Sequence, residues 1–109
     1  MPRLLGELDF LILLALIRLG PQAYGVPIAR EIEFRAHRLV NFGTVYAALD
    51  RLEESGLVKS CLGEATNERG GRAKRFFHIT AKGLREVQAA RRSFIGMWQG
   101  LPQLEEGTS

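Results

Sequence analysis

The sequence contains a single cysteine among 109 residues, and this scarcity excludes two kinds of protein. One thiol, Cys61, cannot close an intrachain disulfide, so a small secreted domain held by disulfides is excluded. Nor can it build a zinc site of several thiolates, and the two histidines, His37 and His78, lie far from it and from each other. The sequence therefore predicts no metal and no cofactor, and it suits a reducing cytoplasm.

Long hydrophobic runs are also lacking. The apolar run at residues 10–17 has eight residues, whereas a helix that spans a bilayer needs about 20. The acidic residues Glu7 and Asp9 come just before this run, where a signal peptide carries positive charge. We therefore expect a soluble, cytoplasmic protein that has no membrane partner.

What the sequence does have is an uneven distribution of charge. Residues 1–68 hold 7 basic and 9 acidic residues, a net charge of −2. Residues 69–92 hold 8 basic residues and one acidic residue, Glu86, a net charge of +7. A basic block in an otherwise slightly acidic chain indicates an anionic partner, although a solvated helix and loop would look alike.

Apolar spacing and turn residues divide the chain into four helices and a hairpin. The expected elements are helices at about residues 7–19, 24–36, 41–55 and 81–99, and strands at 57–62 and 73–79. Asn41 and Thr80 are predicted helix N-caps, and Gly56 is a predicted helix stop. A loop at about residues 63–72, with Gly70 and Gly71, joins the strands.

Three helices followed by a hairpin are the plan of the winged helix-turn-helix. The predicted fold class is therefore mainly α with a small β-hairpin, a winged helix-turn-helix with an added C-terminal dimerisation helix. Residues 1–80 form the DNA-binding domain in this interpretation, residues 81–101 form the dimerisation helix, and residues 102–109 form a frayed tail.

The third predicted helix and the hairpin loop carry the residues expected to bind DNA. An α-helix fits the major groove, and the end with the favourable helix dipole is its N-terminus. Acidic residues dominate the C-terminal part of this helix, so its contacts should come from the first turns. The predicted DNA-binding residues of the helix are Asn41, Gly43, Thr44, Tyr46 and Ala47.

The loop and the start of the returning strand contain four cations, Arg69, Arg72, Lys74 and Arg75. Cations there neutralise phosphate charge, and glycines let the backbone come close. Of these cations, Arg69, Arg72 and Lys74 are predicted to bind DNA.

The ordered motifs resemble a known family of regulators. They are LDFLIL at residues 8–13, GPQAYG at 20–25, GTVYAALDRLEESGLV at 43–58, RGGRAKRFF at 69–77 and TAKG at 80–83. Together they look like the small PadR-type transcriptional regulators, over about residues 4–90. The resemblance implies a dimeric repressor of a palindromic operator in double-stranded DNA. It also implies DNA contacts at Thr44, Tyr46, Arg72 and Lys74.

Two helices carry more apolar surface than one small domain needs, which favours a homodimer. The predicted interface comprises Leu5, Leu8, Ile12, Leu84, Val87, Phe94, Trp98 and Leu101. Two copies of Trp98 near the dimer axis, with the adaptable Met97, would suit a flat aromatic effector, although an interface anchor is the simpler interpretation.

The sequence is also compatible with functions other than a DNA-binding regulator. A winged helix can serve as a protein-interaction module without specific DNA binding, and a basic chain can bind nucleic acid without sequence preference. An enzyme is not expected, because Cys61 and His78 have no third group in the sequence pattern to orient them. For Tyr46, covering the edge of the core is the alternative to a DNA contact.

Overall fold

Helices and a two-stranded hairpin make up the part of the chain that the computed structural model describes, residues 5–65 and 73–104. The elements are α1 (Glu7–Leu19), a short 3-10 turn (Gly20–Gln22), α2 (Gly25–Ala36), α3 (Phe42–Glu54), β1 (Val58–Ala65), β2 (Ala73–Ile79), α4 (Ala81–Trp98) and a second 3-10 turn (Pro102–Leu104). Their order confirms the winged helix-turn-helix plan. Residues 102–104, expected to be frayed, form the second of these turns, and residues 105–109 lie outside the described part.

Helix ends fall where the sequence placed capping residues. The side chain of Asn41 accepts a hydrogen bond from the backbone N of Thr44 at 2.7 Å, and α3 begins there. Thr80 accepts in the same way from the backbone N of Gly83 at 3.0 Å, at the start of α4. Gly56 follows α3 with φ of 81°, a left-handed conformation that favours glycine. Local chemistry therefore sets these boundaries.

The core forms where α1, α2 and α3 pack on one another and on the hairpin. Nearly every residue of α1 is apolar, and Ile12 and Leu13 are fully buried among the other helices. The inner faces of α2 and α3 are buried against this core. The apolar spacing of α3 also predicts a buried Phe42, and this prediction is wrong: the residue lies in the first turn, beyond the core, and is 49% exposed.

Strand β2 joins the hairpin to the helices. β1 and β2 pair antiparallel from Val58 opposite Ile79, and their register shifts between Leu62 and Ala65. β1 extends three residues beyond its predicted end at Leu62. On its other edge, β2 receives one bridge from the chain before α2: the backbone N of Phe77 donates to the backbone O of Ala23 at 2.8 Å. The side chain of Phe77 is 1% exposed, so the strand is fixed by its backbone and by its ring.

Helix α4 packs on the body of the fold near its N-terminus and is exposed further along. Gly83 and Val87 are buried. Phe94, Met97 and Trp98, toward its C-terminus, are 61%, 80% and 57% exposed. The radius of gyration is 16.1 Å, against about 13 Å for a compact domain of this length. None of the described helices has the length and apolarity needed to cross a lipid bilayer.

Replacing Gly83 with alanine should destabilise the fold. A Cβ at this position would lie 2.3 Å from the backbone O of Leu57 and 2.6 Å from Cγ1 of Ile79. Because the first of these is backbone, strand or helix must shift, at a cost of about 1–3 kcal/mol in the free energy of unfolding. Gly96→Ala is the matched control in the same helix, since among the described residues nothing beyond its chain neighbours and the adjacent helix backbone lies within 4 Å of its Cβ position. It should stabilise by about 0.5–1 kcal/mol. Urea unfolding measures both, and equal stabilities of the two variants would contradict the close approach.

Candidate nucleic-acid interface

The N-terminal turns of α3 present polar and small residues to solvent. Asn41, Gly43, Thr44 and Ala47 are all exposed, whereas Val45 and Ala48 face the core. The carboxamide oxygen of Asn41 accepts the hydrogen bond from the backbone of Thr44, so this side chain caps the N-terminus of α3. The predicted contact residues of α3 therefore share one exposed region at the start of the helix.

Tyr46 lies at the boundary between core and surface. Its ring centroid is 6.3 Å from that of the buried Phe77, and the side chain is 37% exposed. Its hydroxyl extends over the first turn of α2, where a Cβ on Gly25 would come within 2.1 Å of it. Tyr46 thus packs at the edge of the core while more than a third of the residue stays exposed.

Lys74 extends beside α2 from the beginning of β2. Its Nζ is 4.6 Å from the ring centroid of Tyr24 and 3.5 Å from the Tyr24 hydroxyl. The Tyr24 ring meets the ring of Phe76 edge-on at 5.4 Å. These contacts hold an exposed cation next to the helix-turn-helix. The other two predicted cations of the hairpin, Arg69 and Arg72, lie outside the described residues.

Arg75, the neighbour of Lys74, points to the opposite side of the strand and binds α3. One guanidinium nitrogen is 3.1 Å from Oδ1 of Asp50, and the other is 2.7 Å from Oε1 of Glu53. Its Cζ lies 4.8 Å from the ring centroid of Phe77. From the sequence alone, Arg75 was one of the four cations of the hairpin and had no assigned partner. Strand alternation could have predicted this contact, because Arg75 lies on the same face of the strand as Phe77, two residues later.

Glu53 is the most constrained carboxylate of α3. It accepts hydrogen bonds from the side-chain hydroxyl of Ser60, at 2.8 and 3.0 Å, and from the backbone N of Ser60 at 3.1 Å. The hydroxyl of Ser60 and, after it, the Arg75 guanidinium lower the pKa of Glu53, while burial acts in the opposite direction. Both strands of the hairpin are therefore attached to the C-terminal half of α3 through one side chain.

Two ion pairs connect the beginning of α1 with the helix-turn-helix. Arg38, in the turn between α2 and α3, donates to Glu7 at 2.8 Å. Arg51 of α3 lies 3.5 Å from Asp9, whose side chain is 8% exposed. A buried carboxylate needs such a partner, because desolvation penalises an isolated charge. Helix α1, which carries two residues of the predicted dimer interface, Leu8 and Ile12, is thus in direct contact with the helix predicted to bind DNA.

The structure separates the predicted interface residues into three groups. Ile12 is fully buried and Val87 is 7% exposed within the single chain, so both are core residues and their side chains are not available to a partner. Leu5 and Leu8 are half-buried. The exposed group consists of Leu84 (41%), Phe94 (61%), Trp98 (57%) and Leu101 (42%). Phe94 also contacts Phe10 of α1, with ring centroids 6.1 Å apart.

Residues considered for catalysis and metal binding do not converge in the described part of the chain. In the hairpin register Cys61 is opposite Phe76, and His78 is opposite Lys59. Among residues 5–65 and 73–104, no three His, Cys, Asp or Glu side chains form a group that could hold a metal ion.

Comparisons with known proteins agree on one family. The Transcriptional regulator PadR-like family matches residues 13–89. A PadR family transcription regulator from Clostridium difficile is 25% identical, covers 84% of this chain and 91% of its own, and has a TM-score of 0.69. For a transcriptional regulator from Clostridium thermocellum these values are 28%, 84%, 84% and 0.71. A PadR-like transcriptional regulator from Bacillus cereus gives 26%, 83%, 82% and 0.63. No curated protein is significantly similar in sequence.

The contacts of Glu53 predict a pH-dependent contribution to stability. Since its pKa is lowered in the fold, its stabilisation is present above the pKa of an unfolded glutamate, about 4.3, and is lost as the pH falls through the folded value. Glu53→Gln should therefore lower Tm at pH 7, and its difference from wild type should shrink below about pH 4. Thermal unfolding between pH 3 and pH 7 measures this. The exposed neighbour Glu54→Gln controls for the loss of one charge, and a difference that is constant with pH would refute the assignment.

Proposed function

The chain belongs to the PadR-like family of transcriptional regulators, whose members are regulators and not enzymes, and we propose that it acts as a homodimeric repressor that binds a palindromic operator in double-stranded DNA. The observation that carries this proposal is that Lys74, an exposed cation on strand β2, is held against Tyr24 at the start of α2, while the first turns of α3 are exposed. A helix and a basic hairpin on one side of a domain match the width and the charge of DNA.

In the proposed complex, the first turns of α3 enter the major groove and the hairpin follows the phosphates. Thr44 and Tyr46 are the side chains that would reach base edges or nearby phosphates, and Gly43 and Ala47 permit a close approach. Lys74 would neutralise phosphate charge, with Arg69 and Arg72 as further proposed contacts. Base contacts specify a sequence, whereas phosphate contacts mainly add affinity.

A winged-helix module that binds protein and not specific DNA is the alternative function. The mainly uncharged first turns of α3 and the exposed cation Lys74 on the hairpin favour DNA, because DNA offers both a groove for the helix and phosphates for the cation. Enrichment of duplexes from random sequence by the purified protein separates the two functions, since only the regulator would select a palindrome.

The two kinds of contact should respond differently to substitution. Thr44→Ala should reduce affinity for the enriched operator by about 10-fold and affinity for random DNA much less, because it removes a contact near the bases. Lys74→Gln should weaken binding to both DNAs and lower the salt slope by about one unit. Fluorescence anisotropy at several salt concentrations measures both effects. Arg85→Gln, an exposed cation on α4, is the matched control, and a loss equal to that of Lys74→Gln would refute the role given to the hairpin.

The proposed dimer is built from the exposed apolar side of α4. Leu84, Phe94 and Trp98 lie on one side of that helix, and Leu101 follows its end. The partner would cover these four side chains, with Leu5 and Leu8 beside them. Exposed apolar patches of this kind mark interaction sites. Met97 and Trp98 anchor this interface in the proposal, and a flat aromatic effector would bind between their two copies. Titration with phenolic acids tests the effector site, which would be refuted by unchanged Trp98 fluorescence and operator affinity.

A charge on this surface should break the dimer and operator binding together. Phe94→Asp places a carboxylate among apolar groups of the partner, which is strongly unfavourable. Light scattering at micromolar concentration should give twice the chain mass for wild type and the single mass for the variant. Leu101→Asp should do the same. Ala89→Asp, exposed on the opposite side of α4, should remain dimeric, and a monomeric wild type would refute the proposed assembly.

A further inference from the structure

The second half of α3 carries carboxylates on the side that would approach DNA. Asp50 follows Tyr46 by four residues, so the two lie on neighbouring turns of one helix side. The Asp50 side chain is 61% exposed and that of Glu53 is 34% exposed. An uncompensated carboxylate here would repel the phosphates on either side of the major groove. A helix in this position needs a source of positive charge close to those two residues.

We propose that Arg75 is this source, as the internal counter-ion of Asp50 and Glu53 and not as a phosphate contact, and that it fixes the hairpin relative to α3. The inference rests on the proposed function and assigns Arg75 a positioning role in it.

The geometry of the guanidinium supports this assignment. One side of its fork binds Asp50 at 3.1 Å and the other binds Glu53 at 2.7 Å, and its plane lies near the Phe77 ring. Both terminal nitrogens of the guanidinium thus donate to α3. Lys74, one residue earlier, is exposed on the other side of the strand. Because successive side chains of a strand point to opposite faces, Lys74 points toward solvent and Arg75 points toward α3.

The attachment of Glu53 explains how Arg75 can also set an orientation. Glu53 binds Ser60 on β1 and Arg75 on β2, so α3, both strands and the buried Phe77 form one connected group. An arginine between two carboxylates has a preferred direction because its donors form a rigid fork. A lysine would keep the charge but would lose this fork. The hairpin and the reading helix should consequently approach DNA as one rigid unit.

A double-mutant cycle on DNA binding tests the inference. The proteins are wild type, Arg75→Gln, Asp50→Asn and the double variant, each confirmed as folded by circular dichroism, and the probes are the enriched operator and a random duplex of the same length. We expect Arg75→Gln to weaken binding to both duplexes by about 10-fold, and Asp50→Asn to recover most of that loss in the Arg75→Gln background while changing wild-type affinity much less. Arg75→Lys should fall between wild type and Arg75→Gln.

Each result has a defined meaning. If Arg75 contacted phosphate, Asp50→Asn would raise DNA affinity by the same factor in wild type and in Arg75→Gln. Such an absence of coupling between Arg75 and Asp50 would overturn the inference and leave the proposed function intact. A wild type that binds no duplex overturns both. If Arg75→Gln does not fold, Asp50→Asn with Glu53→Gln tests the same charges from the other side. That variant should bind the random duplex more tightly than wild type when Arg75 is released, and unchanged or weaker binding would overturn the inference.

Discussion

The fixing of strand β2 on the helical core is the constraint on which the candidate interface depends. The backbone bond from Phe77 to Ala23 and the burial of the Phe77 ring place the strand against the beginning of α2. Once this strand is in place, the ring of Tyr46 packs beside Phe77, Arg75 reaches α3, and Lys74 reaches Tyr24. A hairpin without this anchor would be marginally stable on its own.

Negative charge near α3 is partly compensated inside the fold before any partner binds. Arg51 of α3 pairs with the nearly buried Asp9 of α1, and Arg75 of β2 pairs with Asp50 and Glu53 of α3. Each of these three carboxylates therefore has a cation from another element as its partner. Pairs that are partly exposed add little to stability. Their effect is geometric and electrostatic: they connect α1, α3 and the hairpin, and they reduce the negative field around a helix that is proposed to meet phosphate.

Much of the architecture follows from local signals, and the exceptions have physical causes. The 3.6-residue spacing predicts α1 to α4, and capping side chains place the starts of α3 and α4 because they satisfy backbone donors locally. Phe42 fits the apolar spacing of α3 but extends past the elements that could cover it. Ile12 and Val87 were assigned to a partner because the pattern shows that a side chain is buried and does not show by which chain.

The sequence by itself determined the order of the elements, the helix caps, the family resemblance and the basic character of the segment around Lys74, because each of these depends on residues close together in the chain. Only the tertiary structure decided what Arg75 does. Its partners are 25 and 22 residues away, and the sequence gives no distance between a strand and a helix that far apart. Adjacent residues of a strand face opposite sides. Lys74 therefore lies at the surface and Arg75 contacts α3, although the sequence shows both only as cations of one hairpin.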